Sequence, residues 1–160
     1  MSYTEDQLFF DDVTVGQEWE TMGRTVTEAD IVNFAGLSGD FNPIHMDHEF
    51  AKTTPFRRPI AHGTLVFAMG SGLLVHCPLM RTQAFLCIKE WQFLSPVFVG
   101  DTIRLKSKVL DIEVRSRGRR GVITWQRQIL NQDNKIVQAG ITETLVEGRG
   151  NRGEARASRG

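Results

Sequence analysis

The stretch 62–76, His-Gly-Thr-Leu-Val-Phe-Ala-Met-Gly-Ser-Gly-Leu-Leu-Val-His, constrains this chain more than any other. No Lys, Arg, Asp or Glu interrupts it, and apolar residues fall on nearly every side of a helix drawn through it. A helix that is apolar all round has to be buried all round. It is too short to span a bilayer, which takes ~20 residues. Gly70 and Gly72 each cost about 1 kcal/mol of helix propensity relative to Ala. Close approach of other backbones is expected to offset that cost. The implied arrangement is a central helix wrapped by a sheet.

Around that helix the chain divides into a mixed first half and a strand-rich second half. Residues 1–15 read as an irregular lead-in pinned to the body by Phe9 and Phe10. A strand is expected over 17–26, anchored by Trp19, Thr21 and Val26. Thr27 then caps a helix whose first turn carries Glu28 and Asp30 near the positive end of the dipole. Ile31, Phe34, Ala35 and Leu37 give that helix an apolar stripe, and it stops at Ser38 and Gly39. A compact loop with Pro43 follows, then one short helix capped by Asp47, then an irregular crossing over 53–60. Beyond the central helix, strands are expected over 82–93, 102–114, 122–130 and 136–146, with hairpin turns at 117–121 and 131–134. A phase slip near Leu110 marks a bulge. Helices followed by hairpin-joined antiparallel strands make an α+β fold, as a single domain over 1–147 with an Arg- and Gly-rich tail, 148–160, expected to fray.

Composition narrows the function. The 160 residues suffice to bury a core without staples. The 19 basic and 19 acidic residues cancel, whereas nucleic-acid binding calls for a clearly basic face, so no nucleic-acid partner is expected. Cys77 and Cys87 are expected as two buried, reduced thiols rather than a disulfide. The N-terminal Met-Ser-Tyr-Thr-Glu-Asp-Gln has no basic region followed by an apolar one. Neither a signal peptide nor membrane insertion is expected, and a cytoplasmic location follows by default.

The chemistry-bearing residues lie just upstream of the central helix. Asp40 and His45 flank Phe-Asn-Pro-Ile, in which Pro43 fixes one dihedral and biases Asn42 away from helix. A rigid loop of this length can aim a carboxylate and an imidazole at one point, and such a pair does general acid–base work. The plain alternative is a turn-capping Asp40 and a satisfied loop His45. Gly63 favours the first reading. It falls at the start of the central helix, where N–H groups lack intrahelical partners and the dipole adds positive potential. With no side chain there, a ligand oxygen can approach that N–H, as in an oxyanion hole. His45, Asp47, His48, His62 and His76 are available to a metal, but no cysteine joins them and their spacing fits no familiar ligand pattern. No metal or other cofactor is expected. Arg115, Arg117, Arg119 and Arg120 read as a solvated hairpin tip rather than an anion site.

Residues 34–45, Phe-Ala-Gly-Leu-Ser-Gly-Asp-Phe-Asn-Pro-Ile-His, with 58–63, Arg-Pro-Ile-Ala-His-Gly, resemble the signature of the MaoC-like (R)-specific enoyl-CoA hydratases. The resemblance covers about residues 25–76 and continues more loosely through 91–97 and 99–101. It implies a hot-dog fold, with Asp40 and His45 as catalytic pair and the Gly63 N–H as oxyanion donor. It implies reversible hydration of a trans-2-enoyl thioester, of CoA or of acyl-carrier protein, to the (R)-3-hydroxyacyl thioester. It also implies a homodimer joined through sheet edges, each site near the interface. Two other functions compete. One is binding of an acyl thioester without turnover, against which the intact Asp40, His45 and Gly63 set argues. The other is thioester hydrolysis, which in hot-dog proteins typically places a carboxylate on or near the central helix, where this chain has none.

Overall fold

Four α-helices and a six-stranded antiparallel sheet make up the described residues, 7–150, of the computed structural model. The sheet runs β1 (Glu18–Glu20), β4 (Thr102–Arg115), β5 (Arg120–Leu130), β6 (Ile136–Glu147) and β3 (Thr82–Phe93), with β2 (Arg24–Thr25) also on β4. All four helices lie in the connection between β2 and β3: α1 (Glu28–Ser38), α2 (Pro43–Met46), α3 (His48–Thr53) and α4 (Gly63–Leu73). The helix ends follow local chemistry. Thr27 and Asp30 cap α1 reciprocally, and Gly39 closes it at φ +78°. Asp47 accepts the Glu49 and Phe50 N–H groups, each at 2.9 Å, to start α3.

Two departures from the sequence reading concern the strands. The segment expected as one strand over 17–26 is broken into β1 and β2. The cause is Thr21: its hydroxyl accepts the Leu105 N–H at 3.0 Å while its own N–H donates to the Leu105 carbonyl at 2.9 Å. A side chain thus replaces the backbone carbonyl in the ladder, and the strand cannot continue. β5 also begins two residues before the expected 122, at Arg120. The bulge expected near Leu110 is present, as a register shift between Val109 and Asp111.

The central helix α4 lies on the inner face of the sheet. Leu65, Val66 and Met69 pack with Val26, Ile31, Ile103, Leu105, Ile129 and Val137. A second cluster joins Phe10 and Val13 to Val109, Ile123, Trp125 and Val146, so the lead-in is anchored through buried Phe9 and Phe10. At Gly70 the close approach is to side chains, not backbone: a Cβ there would stand 2.6 Å from Ile129 Cδ1. Gly72 has nothing within 4 Å of that position. The helix is therefore not buried all round. Thr64, Ala68 and Gly72 form an exposed stripe, because a sheet covers only one side of a helix.

The edge strand β3 carries exposed Phe85, Leu86, Ile88 and Phe93. Cys77 and Cys87 are free, but half-buried rather than buried, and donate to the Glu20 carbonyl and the Glu143 carboxylate. Residues 1–6 of the lead-in and 151–160 of the tail lie outside the described residues. Arg149, in the part of the tail that is described, is ion-paired with Asp12 at 2.7 Å. No helix among the described residues is long and apolar enough to cross a membrane.

Candidate active site

The segment from the end of α1 to α2 is laced by its own side chains. Ser38 donates to the Phe34 carbonyl at 2.7 Å and accepts the Asp40 N–H at 3.2 Å. Asp40 Oδ1 accepts the Asn42 N–H at 3.2 Å, and Asn42 Oδ1 accepts the Ile44 N–H at 3.1 Å. Asp40 thus does hold a turn, with one oxygen, while the other faces His45. Pro43 is not in a loop, as expected, but is the first residue of α2, with Asn42 as its cap. Proline suits that position because the first helical N–H has no intrahelical partner.

His45 sits on α2 and its Nδ1 lies 2.7 Å from the Ile60 carbonyl oxygen. A carbonyl only accepts, so Nδ1 carries the proton, and the neutral ring presents a bare Nε2. That Nε2 is 4.0 Å from Asp40 Oδ2. Burial is the largest influence on the ring and lowers its pKa below the ordinary 6.5. The Ile60 carbonyl and Asp40 work the other way, and His62 adds to the lowering.

Gly63 opens α4, and its N–H makes no hydrogen bond to any described residue. Its carbonyl accepts from Gln138 Nε2 at 2.8 Å, and Gln138 Oε1 in turn accepts from Trp91 Nε1 at 3.0 Å. A Cβ on Gly63 would stand 2.8 Å from the Phe93 ring. His45 and Gly63 line one cleft of ≈ 400 Å³, with Val66, Phe93, Val97 and Gln138. Asp40, half-exposed, is not among the residues lining that cleft and joins the group through His45.

His62 is a member of this group that sequence reading considered only as a metal ligand. It is 1% exposed. Its Nε2 donates to the Asp40 backbone carbonyl at 2.9 Å, and its ring stacks on His45 with 3.9 Å between centroids. Its Nδ1 is buried without a partner among the described residues. Its place directly before Gly63, at the helix start, was the available signal. Donor atoms of Asp40, His45 and His62 lie within 4.8 Å of one another, a grouping different from the one weighed from sequence. Two of the histidine nitrogens are already engaged by backbone carbonyls. Asp47 is spent on its cap, His48 pairs with Glu28 at 2.8 Å, and His76 ends the turn after α4. At the hairpin tip Arg115 pairs with Glu113, and Arg117 takes φ +57° in the turn.

Residues 11–128 match the family model described as MaoC like domain. The chain is 34% identical over 126 residues to an (R)-specific enoyl-CoA hydratase of Aeromonas caviae, covering 79% of this chain and 90% of that one. It is 32% identical over 142 residues to the (R)-specific enoyl-CoA hydratase of Rhodospirillum rubrum, covering 89% and 94%. Among solved structures, a protein of Archaeoglobus fulgidus described as a monoamine oxidase regulatory protein superposes with a TM-score of 0.80 at 35% identity, covering 90% of this chain and 97% of that one. A Mycobacterium tuberculosis protein with a double hotdog fold superposes with a TM-score of 0.80 at 20% identity, over 89% of this chain and 45% of that one, which establishes the hot-dog architecture.

Proposed function

This chain belongs to the MaoC-like domain family, and from that premise we propose that it is a hydro-lyase that reversibly adds water to trans-2-enoyl thioesters. The product is the (R)-3-hydroxyacyl thioester. The observation that carries the proposal is the 4.0 Å gap between His45 Nε2 and Asp40 Oδ2. Both atoms are acceptors when the imidazole is neutral and the carboxylate ionised. They are too far apart to bond directly, and a water donating one hydrogen to each would span them.

In this mechanism the shared water gives up one proton to the Asp40 and His45 pair as its hydroxyl bonds to C3, and the pair passes that proton to C2 on the same face, so that both groups end as they began. The thioester oxygen, which gains charge as the enolate forms, takes the Gly63 N–H at the positive end of α4. One such donor contributes roughly 3–4 kcal/mol in the transition state. Gln138 holds the Gly63 carbonyl and so orients the first turn of the helix. The carrier is CoA or acyl-carrier protein. The protein acts as a homodimer joined through the β3 edges, whose exposed apolar residues support that reading.

The test is purified protein with crotonyl-CoA, following loss of the conjugated thioester's ultraviolet absorbance, with chiral analysis of the product. An (R)-3-hydroxy product, lost in Asp40→Asn and His45→Gln, is expected. Near-normal turnover by Asp40→Asn would overturn the residue assignment. Failure of a folded chain on enoyl thioesters of both carriers would overturn the activity.

A further inference from the structure

Arg127 stands on the inner face of β5, between Trp125 and Ile129, with 5% of its surface exposed. A cation buried that deeply is ordinarily met by a carboxylate. Arg127 has none among the described residues. Its Nη1 donates to Ser107 Oγ, and its guanidinium lies 4.2 Å from the centre of the Trp125 ring. Its Nε is buried with no acceptor among the described residues. Burial pushes its pKa down to about 9, which still leaves it charged at neutral pH. Thr142, opposite Trp125 on β6, also has a buried hydroxyl without a partner among the described residues.

Arg127 lines a cavity of ≈ 320 Å³ between the far end of α4 and the sheet. Ser71, Leu74, Phe85, Trp125 and Thr144 share the lining, and no acidic residue does among the described residues. The walls are thus largely apolar, with one unpaired cation and hydroxyl groups set among them. A planar guanidinium matches a carboxylate in both charge and shape. We propose that this cavity binds a carboxylate carried on an apolar stem, with Arg127 as its counter-ion.

The cavity shares no lining residue with the cleft beside His45 and Gly63. Ser71 lies along α4 from Gly63 by about 12 Å at 1.5 Å per residue. Two sources would supply the same chemistry. One is the far end of an acyl chain whose thioester sits at Gly63, about ten bonds away at roughly 1.2 Å per bond; this source rests on the hydratase reading. The other is a free fatty-acid-like carboxylate, which does not.

The experiment compares octanoate with octanamide by calorimetric titration of the full chain. It then compares trans-2-decenoyl-CoA with its ω-carboxylated counterpart as substrates. Octanoate is expected to bind about ten- to a hundredfold tighter than the amide, and Arg127→Gln to abolish the difference. Preference for the ω-carboxylated substrate, lost in the same variant, assigns the site to the acyl chain. Binding of octanoate without that preference assigns it to a free carboxylate. Equal binding of octanoate and octanamide, or a preference unchanged in Arg127→Gln, overturns the proposal. Should Arg127→Gln fail to fold, Arg127→Lys keeps the charge without the fork and is expected to show a reduced preference; an unchanged one overturns the proposal. Hydration of crotonyl-CoA by the wild-type chain, run alongside, tests the hydratase reading separately. A chain that hydrates crotonyl-CoA but does not discriminate octanoate loses only the Arg127 proposal.

Discussion

The imidazole rings of His45 and His62 lie stacked, 3.9 Å between centroids and 29° between planes, and each ties down a different part of the backbone. His45 holds the Ile60 carbonyl, while His62 holds the carbonyl of Asp40 itself. The distance from Asp40 to His45 is therefore set through the stack as well as through the loop between them. His62→Phe preserves an aromatic ring against His45 and removes the tie to Asp40. A loss in kcat of about 10²-fold is expected, with KM little changed, since a displacement of about 1 Å costs that much. A variant that lost only stability, with kcat intact, would make His62 a packing residue.

The pH dependence follows from His45. Burial depresses its folded pKa below the unfolded value near 6.5. Between those two values the unfolded chain binds more protons, so stability rises with pH across that window. The contribution is present above about 6.5 and is lost as pH falls through the folded value. The same shift keeps the ring neutral at mildly acid pH. The acid limb of kcat/KM is expected below 6.5, and the slope of stability against pH should flatten in His45→Gln. A limb at or above 6.5 would show that the charged form prevails despite burial.

Gly63→Ala tests the approach to the helix start. The new Cβ would meet the Phe93 ring at 2.8 Å, but Phe93 is 59% exposed and can swing away. The fold should survive, while the displaced ring and helix start lower kcat/KM by about 10²-fold. Adding Phe93→Leu should restore part of that loss, a non-additivity expected of contacting residues. Steady-state kinetics of the wild type, the two single variants and the double variant measure it.

Gly70→Ala is different, because its neighbour cannot move. Ile129 is fully buried, and its Cδ1 would lie 2.6 Å from the added methyl. Overpacking of this kind costs about 1–3 kcal/mol, against which better helix propensity returns about 1. Net destabilisation in urea unfolding is expected. Ile129→Val removes the clashing atom and should make Gly70→Ala close to neutral in its background.

The β3 edge predicts an association. Its 12 residues present an outer edge to which no described strand pairs, with Phe85, Leu86, Ile88 and Phe93 exposed. Apolar unprotected edges are pairing sites. Sedimentation should find a dimer, and Ile88→Lys should shift it toward monomer with loss of activity. A wild-type chain that stays monomeric at micromolar concentration would contradict this.

Much of this protein was legible in its residue order because the physics involved is local. The uncharged run that forms α4, the Thr27 and Asp30 cap, the Gly39 stop and the slip at Leu110 each act within a few residues of one another. The candidate set of Asp40, His45 and Gly63 was legible too, since a short loop and a helix start are local features. Only the tertiary structure decided what meets those features from afar. Thr21 breaks a strand because Leu105, on β4, arrives opposite its hydroxyl. His62 joins the site because folding stacks it on His45. Alternation along β5 sets Arg127 on the same face as Trp125 and Ile129. Its lack of a carboxylate depends on every element packed against that face, and strand alternation says nothing about what lies opposite. Local propensity acts over one turn or one pleat, whereas the partner of a buried group is chosen by contacts between elements far apart in the chain.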